Sequence, residues 1–310
     1  MERLQNKLVL VTRRTRLEDL IVRFNTVDQA RFYIEHLGAD FGDYDEEHRH
    51  YQSVVRSAEE VLSQFGRVQR LDRSFLPNFI FPTGMPVVVV GQDGLVANTL
   101  KYLGDQPVIG VNPDRRRWDG VLLPFEVGDL SRIVPETLAH HRPEKSITMA
   151  SVTLGDGQTL HAVNDFFVGA RTHVSARYEI HWSEQVERHS SSGVIISTGL
   201  GSSGWFRSVL TGAAGIAGAS GAEIKHLRDE GFPWDADYLH FSVREPYPSR
   251  ATQAGLVFGK ISRAQPLELV SSMAENGVIF SDGIESDFLE FNAGTNARFQ
   301  PANRQGRLVC

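Results

Sequence analysis

The 310-residue sequence contains a single cysteine, Cys310, and no long run of apolar residues. One cysteine cannot form an internal disulfide, and the spacings of cysteine-rich zinc sites are absent. The apolar run within residues 1–14 is too short for the apolar region of a signal peptide, and no stretch reaches the ~20 apolar residues that cross a bilayer. We therefore expect a cytoplasmic protein with no membrane partner.

An excess of positive charge is also missing. The chain has 32 Lys and Arg residues against 38 Asp and Glu residues, a formal net charge of −6. Nucleic-acid binding depends on cationic side chains that neutralise phosphates, so no nucleic-acid partner is expected. The GxSxG, HExxH and GxxxxGK[ST] motifs are absent. We interpret two histidine pairs as solvated surface, because neither has further metal ligands nearby: His48 with His50, and His140 with His141.

The first half of the sequence alternates between strand-like and helix-like segments. Val87–Val90 and Pro107–Val111 are apolar runs typical of buried strands. Apolar residues at helical spacing, each group followed by glycine, predict helices that end near residues 37 and 65. A polar, acidic stretch at residues 41–51 separates these two helices. Strands alternating with helices predict a parallel α/β sheet.

From about residue 146 the helical periodicity mostly disappears. Short alternating segments such as Thr159–Val168 and Val194–Thr198 replace it, with one helical interruption at residues 202–217. Many short strands at near-regular spacing predict an antiparallel, sandwich-like structure.

This change of pattern predicts two domains. Residues 1–146 are expected to form an α/β domain with a parallel sheet, and residues 147–310 a β-rich domain. We also consider a return of the extreme C-terminal residues to the first domain. Ligands of open α/β sheets bind beyond the carboxyl ends of the strands, so polar groups that follow strands are the candidate site residues.

Gly91–Gly94, with the sequence GQDG, directly follows the valine strand. Glycines there let backbone amides approach phosphates closely. Asp93 between them can orient a magnesium ion or accept a proton from a hydroxyl. The alternative is an ordinary turn in which Asp93 caps the following helix.

Two further polar segments lie in the β-rich half. Residues 199–204, GLGSSG, match the GxGxxG string but lack the βαβ context of a dinucleotide fingerprint. This turn suits an anion or a sugar; the alternative is a small-residue helix start packed on a sheet. Asn164–Asp165 lies between apolar residues, where an amide and a carboxylate need partners. A hydroxylated ligand is one such partner, and a surface turn is the alternative. We interpret Arg115–Arg117 as a solvated loop.

These three segments, in this order and at this spacing, resemble the NAD kinase family. The family's hallmarks are a GGDG loop, an Asn-Glu pair and a Ser-Thr-x-x-Gly-Ser-Thr turn, which here read GQDG, Asn-Asp and STGLGSSGW. The match is closer to the divergent branch that contains mitochondrial NAD kinases. This closer match rests on VIGVNPD from Val108, SARYEIHW from Ser175, SSG before the serine-threonine strand and REP from Arg244. Late in the chain, FSDGIESDFLEF resembles the family's final Asp-Gly strand.

The resemblance implies an NAD kinase-like fold and transfer of the ATP γ-phosphoryl group to the adenosine-ribose 2′-hydroxyl of NAD, giving NADP. ATP, NAD and Mg²⁺ are the implied ligands, and a homo-oligomer, dimer or tetramer, is the implied assembly. The implied roles are a base or magnesium organiser at Asp93, phosphate access at Gly91 and Gly94, ribose-hydroxyl contacts at Asn164 and Asp165, and adenine and pyrophosphate contacts at Ser202 and Ser203.

The sequence departs from the family pattern in the GQDG loop. Gln92 replaces the second glycine of GGDG, and Leu95 replaces the usual threonine. The second residue of the Asn-Glu pair is the shorter Asp165, and Leu200 and Trp205 stand where a hydroxyl residue and a tyrosine are common. Two alternatives follow: a catalytically inactive relative that binds NAD(P) as a sensor, or a kinase of the same fold acting on a sugar, nucleoside or lipid.

Overall fold

The computed structural model describes residues 6–219 and 231–310. The chain forms two compact units. The first unit comprises Met1–Lys145 and Arg307–Cys310, and the second comprises Ser146–Gly306. Each unit has its own buried apolar core.

A parallel sheet forms the centre of the first unit. Its strands, in the order β2-β1-β3-β4, are β1 (Lys7–Thr12), β2 (Arg67–Asp72), β3 (Val87–Val90) and β4 (Pro107–Val111). The last strand of the chain, β16 (Asn296–Val309), ends in this unit, where Arg307 and Leu308 pair in parallel with β4. Because these strands are parallel, their carboxyl ends meet at one edge of the sheet, which is where ligands of such sheets bind.

Helices accompany the strands of this sheet. They are α1 (Arg16–Phe24), α2 (Val27–His36), α3 (Phe41–Ser63), α4 (Asp93–Leu100) and α5 (Leu130–Leu138). The core between helices and sheet includes Tyr51 and Val55 of α3 and Ile133 of α5. α1 begins with a capping box, in which the side chain of Thr15 accepts the N–H of Glu18 and the side chain of Glu18 accepts the N–H of Thr15.

Helix α3 corrects the prediction for residues 41–65. The polar stretch 41–51 is helical, and the helix predicted to end near residue 65 is the second half of this single 23-residue helix. Its polar half hides the helical signal because a charged side chain, Glu47, is buried among the apolar ones. That carboxylate is paired with the guanidinium groups of Arg13 and Arg16.

The prediction of solvated surface is confirmed for His50, Arg115 and Arg116, which are exposed, whereas His48 and Arg117 are only partly exposed. Nδ1 of His48 lies 2.9 Å from the hydroxyl of Thr15, and Nε2 of His50 lies 2.8 Å from the carbonyl oxygen of Pro113. The arginines at 115–117 each contact a carboxylate, in order those of Glu126, Asp114 and Asp43. Hydrogen bonds from Arg117 and Arg16 lower the pKa of Asp43 to about 2. His140 and His141 are exposed, as predicted.

The second unit is a sandwich of two mainly antiparallel sheets. One contains β5 (Glu144–Leu154), β6 (Thr159–Ala162), β8 (Ala176–Trp182), β9 (Gln185–Ser191), β13 (Leu267–Ser271) and most of β16. The other, in the order β12-β11-β10-β7-β14-β15, contains β7 (Asp165–Ala170), β10 (Val194–Ser197), β11 (Leu239–Val243), β12 (Phe258–Ile261), β14 (Gly277–Ser281) and β15 (Ile284–Glu290). The two sheets enclose one apolar core.

Helix α6 (Trp205–Ala219) covers the outer face of the second of these sheets. It follows a short 3-10 helix, Gly201–Ser203, so the predicted helix at 202–217 is made of two elements. The predicted strand Thr159–Val168 is also two elements, because β6 ends at Ala162 and β7 begins at Asp165.

The parallel α/β sheet and the antiparallel β-rich sandwich confirm the predicted fold class. Among the residues that the structure describes, no helix is long and apolar enough to cross a membrane.

Candidate functional site

The GQDG loop joins β3 to α4 in the first unit. β3 ends at Val90, and α4 begins at Asp93, so the loop lies at the carboxyl edge of the parallel sheet. One carboxylate oxygen of Asp93, Oδ1, accepts the backbone N–H of Leu122 at 2.7 Å. This bond ties the start of α4 to the segment after β4. Within the described ranges, the other oxygen of Asp93 accepts no hydrogen bond. A simple helix cap therefore does not explain Asp93.

The two glycines of this loop differ in their surroundings. A Cβ at Gly91 would lie 2.7 Å from a methyl carbon of Leu95, so a side chain there displaces Leu95. A Cβ at Gly94 would meet nothing within 4 Å. Gly94 is also exposed at the first turn of α4, where backbone N–H groups point away from the helix. The space beside Gly94 is thus open to a ligand.

The Asn164–Asp165 pair lies at the start of β7 in the second unit, after the bend at residues 163–164. Phe166 faces the core between the sheets, whereas Phe167 packs against α6 on the outer face. Side chains alternate along a strand, so Asp165 shares the outer face with Phe167. The hydroxyl residue Ser197 of β10 is directly opposite Asp165 in the pairing register.

Asp282 holds this bend from the other side. Its Oδ1 accepts the backbone N–H groups of Val163 at 3.1 Å and Asn164 at 2.6 Å. The backbone N–H of Asp282 donates in turn to the carbonyl oxygen of Asp165 at 3.0 Å. Asp282 belongs to the late FSDGIESDFLEF segment but was not among the predicted site residues. The only signal for it in the sequence was that segment's resemblance to the family's final Asp-Gly strand.

The carboxyl group of Asp165 is buried without a donor. The residue is 7% exposed, and within the described ranges no N–H or O–H donates to its side chain. Burial, with a smaller contribution from the negative charge of Asp282, raises the pKa of Asp165 to about 7. A buried polar group without a partner costs free energy unless a ligand supplies one.

The STGLGSSGW turn packs directly on this bend. The hydroxyl of Thr198 donates to the carbonyl oxygen of Val163 at 2.6 Å and accepts the N–H of Gly201 at 3.2 Å. A Cβ at Gly201 would lie 2.1 Å from the carbonyl oxygen of Asn164, and one at Gly199 would lie 1.8 Å from that of Pro233. Both glycines are therefore required by contacts between backbones inside the protein.

The two serines of the turn have different environments. Ser202 is buried, and its hydroxyl donates to the carbonyl oxygen of Gly199 at 2.6 Å and accepts the N–H of Phe232 at 3.2 Å. Ser203 is exposed, and its hydroxyl donates at 3.3 Å to the carbonyl oxygen of Leu200. Ser202 thus fixes the shape of the turn, while Ser203 is accessible to a ligand.

A cavity of about 790 Å³ opens on the outer face of the sheet that contains β7 and β14. Its walls include the stacked rings of Phe167 and Trp205, whose centroids are 5.7 Å apart. The guanidinium of Arg244 lies 5.4 Å from the Trp205 ring centre, and that of Arg171 lies 4.1 Å from the ring centre of Phe288. Arg171 pairs with no carboxylate in the described part of the chain. Flat rings beside guanidinium groups suit a planar, anionic ligand.

The structure brings together one set of predicted residues. Asn164, Asp165, Ser202 and Ser203 lie on two hydrogen-bonded turns of the second unit. Gly91, Asp93 and Gly94 form the GQDG loop of the first unit. No group of three or more His, Cys, Asp or Glu side chains in the described residues is arranged to hold a metal ion.

No protein-family model matches the sequence, and no curated protein matches it. Solved structures do match. One is an NAD kinase from Archaeoglobus fulgidus in complex with ATP, which is 14% identical with a TM-score of 0.58 over 98% of this chain and 93% of that chain. The chain has the NAD kinase fold. A second structure with this fold, yeast NADH kinase complexed with NADH, is 14% identical with a TM-score of 0.54 over 98% of this chain and 83% of that chain.

Proposed function

We propose that the protein is an ATP-dependent NAD kinase that phosphorylates the adenosine-ribose 2′-hydroxyl of NAD to form NADP. The observation that carries the proposal is the buried carboxyl group of Asp165, which lacks a donor and lies beside Asn164 in a fold shared with enzymes of this kind. Ribose hydroxyls supply the donors that this group lacks. Structures with this fold in complex with ATP and with NADH support the same two ligand classes.

Asp93 is the proposed base. In the reaction, the O–H bond of the 2′-hydroxyl breaks as its oxygen forms a bond to the γ-phosphorus of ATP. The bond between that phosphorus and the β,γ-bridging oxygen breaks, which releases ADP. The proton passes to the carboxylate oxygen of Asp93 that is not bound to Leu122. Phosphoryl transfer needs positioning and charge neutralisation more than covalent chemistry, so one well-placed carboxylate is sufficient.

The remaining predicted residues would bind rather than react. Asn164 and Asp165 would hold ribose hydroxyls, and the open space beside Gly94, with Gly91, would admit phosphates. Ser203 would contact the adenine and pyrophosphate side directly, whereas Ser202 would act through the shape of the turn.

Magnesium would enter with the substrate. Mg²⁺ commonly uses one or two protein carboxylates and completes its shell with substrate phosphates and water. Because Asp93 is the proposed base, substrate phosphates and water would supply the ligands of the ion, and no dedicated cluster of three protein ligands is needed. When bound, the ion would neutralise negative charge on the transferring phosphates.

The proposal is tested by incubating the purified protein with ATP, Mg²⁺ and NAD and measuring NADP. Asp93→Asn should lower kcat by at least about 100-fold, because a general base contributes about that much or more. Asp119→Asn is the matched control, since Asp119 is an exposed carboxylate in the segment that Asp93 contacts. No NADP above background, or equal rates for Asp93→Asn and wild type, would contradict the proposal. Parallel assays with NADH and with polyphosphate identify the preferred acceptor and donor.

One observation favours a second candidate function, a catalytically inactive NAD(P)-binding sensor. Leu95, in place of a threonine, is buried, and its side chain lies against Gly91. The loop therefore lacks a hydroxyl at a point where phosphates would bind. A sensor would bind dinucleotide in calorimetry yet transfer no phosphoryl group from any donor. A panel of sugars, nucleosides and lipids would identify a kinase of the same fold with another acceptor.

We also propose a cytoplasmic homo-oligomer, dimer or tetramer. Sedimentation of the purified protein with and without NAD would measure its mass. A monomer at all concentrations would contradict this assembly.

A further inference from the structure

Asp282 lies in the turn between β14 and β15, and this turn contacts the Asn164–Asp165 bend. Its backbone is left-handed, with φ of 55°, and Gly283 follows with φ of 70°. This turn directs the Asp282 carboxylate at the backbone of the bend, where Oδ1 is 2.6 Å from the nitrogen of Asn164. A carboxylate that accepts several backbone N–H groups is held firmly in its charged form.

The negative charge of Asp282 affects the protonation of the Asp165 carboxyl group. Among the described residues, it is the only charged group that raises the pKa of Asp165, in addition to the effect of burial. The neighbouring strand β10 places an uncharged hydroxyl, that of Ser197, opposite Asp165. One strand further, β11 places His240 opposite Ser197. Burial lowers the pKa of His240, so its ring is neutral near pH 7.

Asp165 itself is built to receive a donor. It is more than nine-tenths buried, its carboxyl group has no hydrogen-bond partner in the described ranges, and it shares a sheet face with the cavity-lining Phe167. The two carboxyl groups thus have opposite environments. Asp282 is saturated with backbone donors, and Asp165 has none.

We propose that Asp282 is a positioning residue that fixes the Asn164–Asp165 bend and, through its charge, adds to the effect of burial in keeping a proton on Asp165 until a hydroxylated ligand binds and displaces it. This inference rests on the proposed function, because it takes the ribose of NAD as the ligand. The ribose hydroxyls donate to Asp165, which favours its carboxylate form. The carboxyl O–H bond of Asp165 breaks, the proton goes to solvent, and no bond in the ligand changes.

Calorimetry of NAD binding in buffers of different ionisation enthalpy measures this proton. Because the free carboxyl group has a pKa of about 7, wild type should release about half a proton per NAD at pH 7. Its affinity for NAD should fall about tenfold per pH unit below that point and level off above it. Asp165→Asn should release no proton at any pH and bind NAD more weakly.

Asp282→Asn separates charge from geometry, since its side-chain oxygen still accepts the N–H of Asn164. We expect clearly less proton release at pH 7 and, at pH 6, affinity at least about threefold higher than wild type. A purely structural role would only weaken binding. Asp282→Ala removes both functions and should weaken binding at every pH. Asp156→Asn, in the exposed β5–β6 turn, is the matched control and should behave as wild type.

A second measurement does not depend on ligand. The carboxyl carbon of Asp165, followed by NMR in the free protein, should titrate at a lower pH in Asp282→Asn than in wild type. An unchanged titration would overturn the inference. Binding of NAD without proton release would overturn it and leave the proposed function standing. NAD binding with the expected proton release but no NADP formation would support the inference and contradict the kinase proposal. No binding of NAD would overturn both.

Discussion

The hydroxyl of Thr198 lies 2.6 Å from the carbonyl oxygen of Val163 and joins the two polar turns of the second unit. The same hydroxyl is 3.1 Å from the carbonyl oxygen of Asn164 and accepts the N–H of Gly201. Thr198 is fully buried, so water cannot replace these bonds. The ligand contacts predicted on one turn therefore depend on the position of the other.

Thr198→Val should lower the free energy of unfolding by about 1–3 kcal/mol, because it leaves buried backbone groups without their partner. Urea denaturation measures the change, and NAD affinity should fall with it. Thr198→Ser keeps the hydroxyl and should lose clearly less. Equal losses in the two variants would show that the methyl group, and not the hydrogen bonds, stabilises the turn.

Two glycines of the same region should respond oppositely to alanine. Gly201→Ala places a Cβ 2.1 Å from the carbonyl oxygen of Asn164, so the backbone must shift and the protein should be destabilised by several kcal/mol, or fail to fold. Gly212→Ala, in α6, meets nothing within 4 Å and should stabilise the helix by about 0.5–1 kcal/mol. Thermal melting of the two variants provides the comparison. A tolerated Gly201→Ala would contradict the close approach of the two turns.

The stability of the protein should depend on the protonation of Asp165. The pKa of this group is about 7 in the folded protein against 3.8 for an ordinary aspartate. Between these values the folded state binds a proton that the unfolded state does not, so this group makes stability fall as pH rises from about 4 to about 7. Asp165→Asn removes this loss. Relative to wild type, its free energy of unfolding should therefore increase across that window, by up to about 4 kcal/mol. Denaturation curves at pH 4, 6 and 8 measure it; a constant difference would contradict the raised pKa.

Tyr51 should stabilise the end of β3, which precedes the GQDG loop, and the residue that follows β1. Its hydroxyl donates to the carbonyl oxygen of Val90 at 2.8 Å and accepts the N–H of Arg13 at 3.0 Å. Burial raises its pKa to about 12, so the hydroxyl stays protonated at neutral and mildly alkaline pH. Tyr51→Phe should cost about 1–3 kcal/mol of unfolding free energy, measured in urea. Tyr247→Phe, at an exposed position, should cost less than about 0.5 kcal/mol.

Strands β3 and β4 of the parallel sheet were predictable because both of their faces are buried. β3 and β4 have the bounds that the apolar runs indicated, Val87–Val90 and Pro107–Val111. The prediction for Thr159–Val168 was wrong because a bend interrupts an otherwise continuous apolar pattern at Asn164. Nothing in a two-residue periodicity distinguishes such a bend from a strand residue, since the hydrogen bonds that hold it come from Asp282, more than 100 positions later.

Part of the candidate site could be predicted from the polar residues that follow strands and from the order of the three motifs along the chain. The polar pair at Asn164–Asp165 was identified because such groups need partners inside an apolar segment. The prediction that Ser202 contacts a ligand directly came from the family resemblance. In the structure its hydroxyl is bonded to Gly199 and Phe232. Hydrogen bonds of this kind depend on tertiary contacts, and no spacing in the sequence reveals them.

The path of β16 has a consequence for the order in which the protein folds during synthesis. Val309 is fully buried in the core of the first unit, and the N–H of Cys310 donates to the carbonyl oxygen of Pro143 at 3.0 Å. The first unit therefore cannot complete its sheet when residue 145 leaves the ribosome. While the second unit is translated, β4 has no β16 to pair with and remains an edge strand. An unpaired edge of this kind can pair with strands of other chains, so until residues 307–309 are made β4 is the part of the first unit most exposed to aggregation.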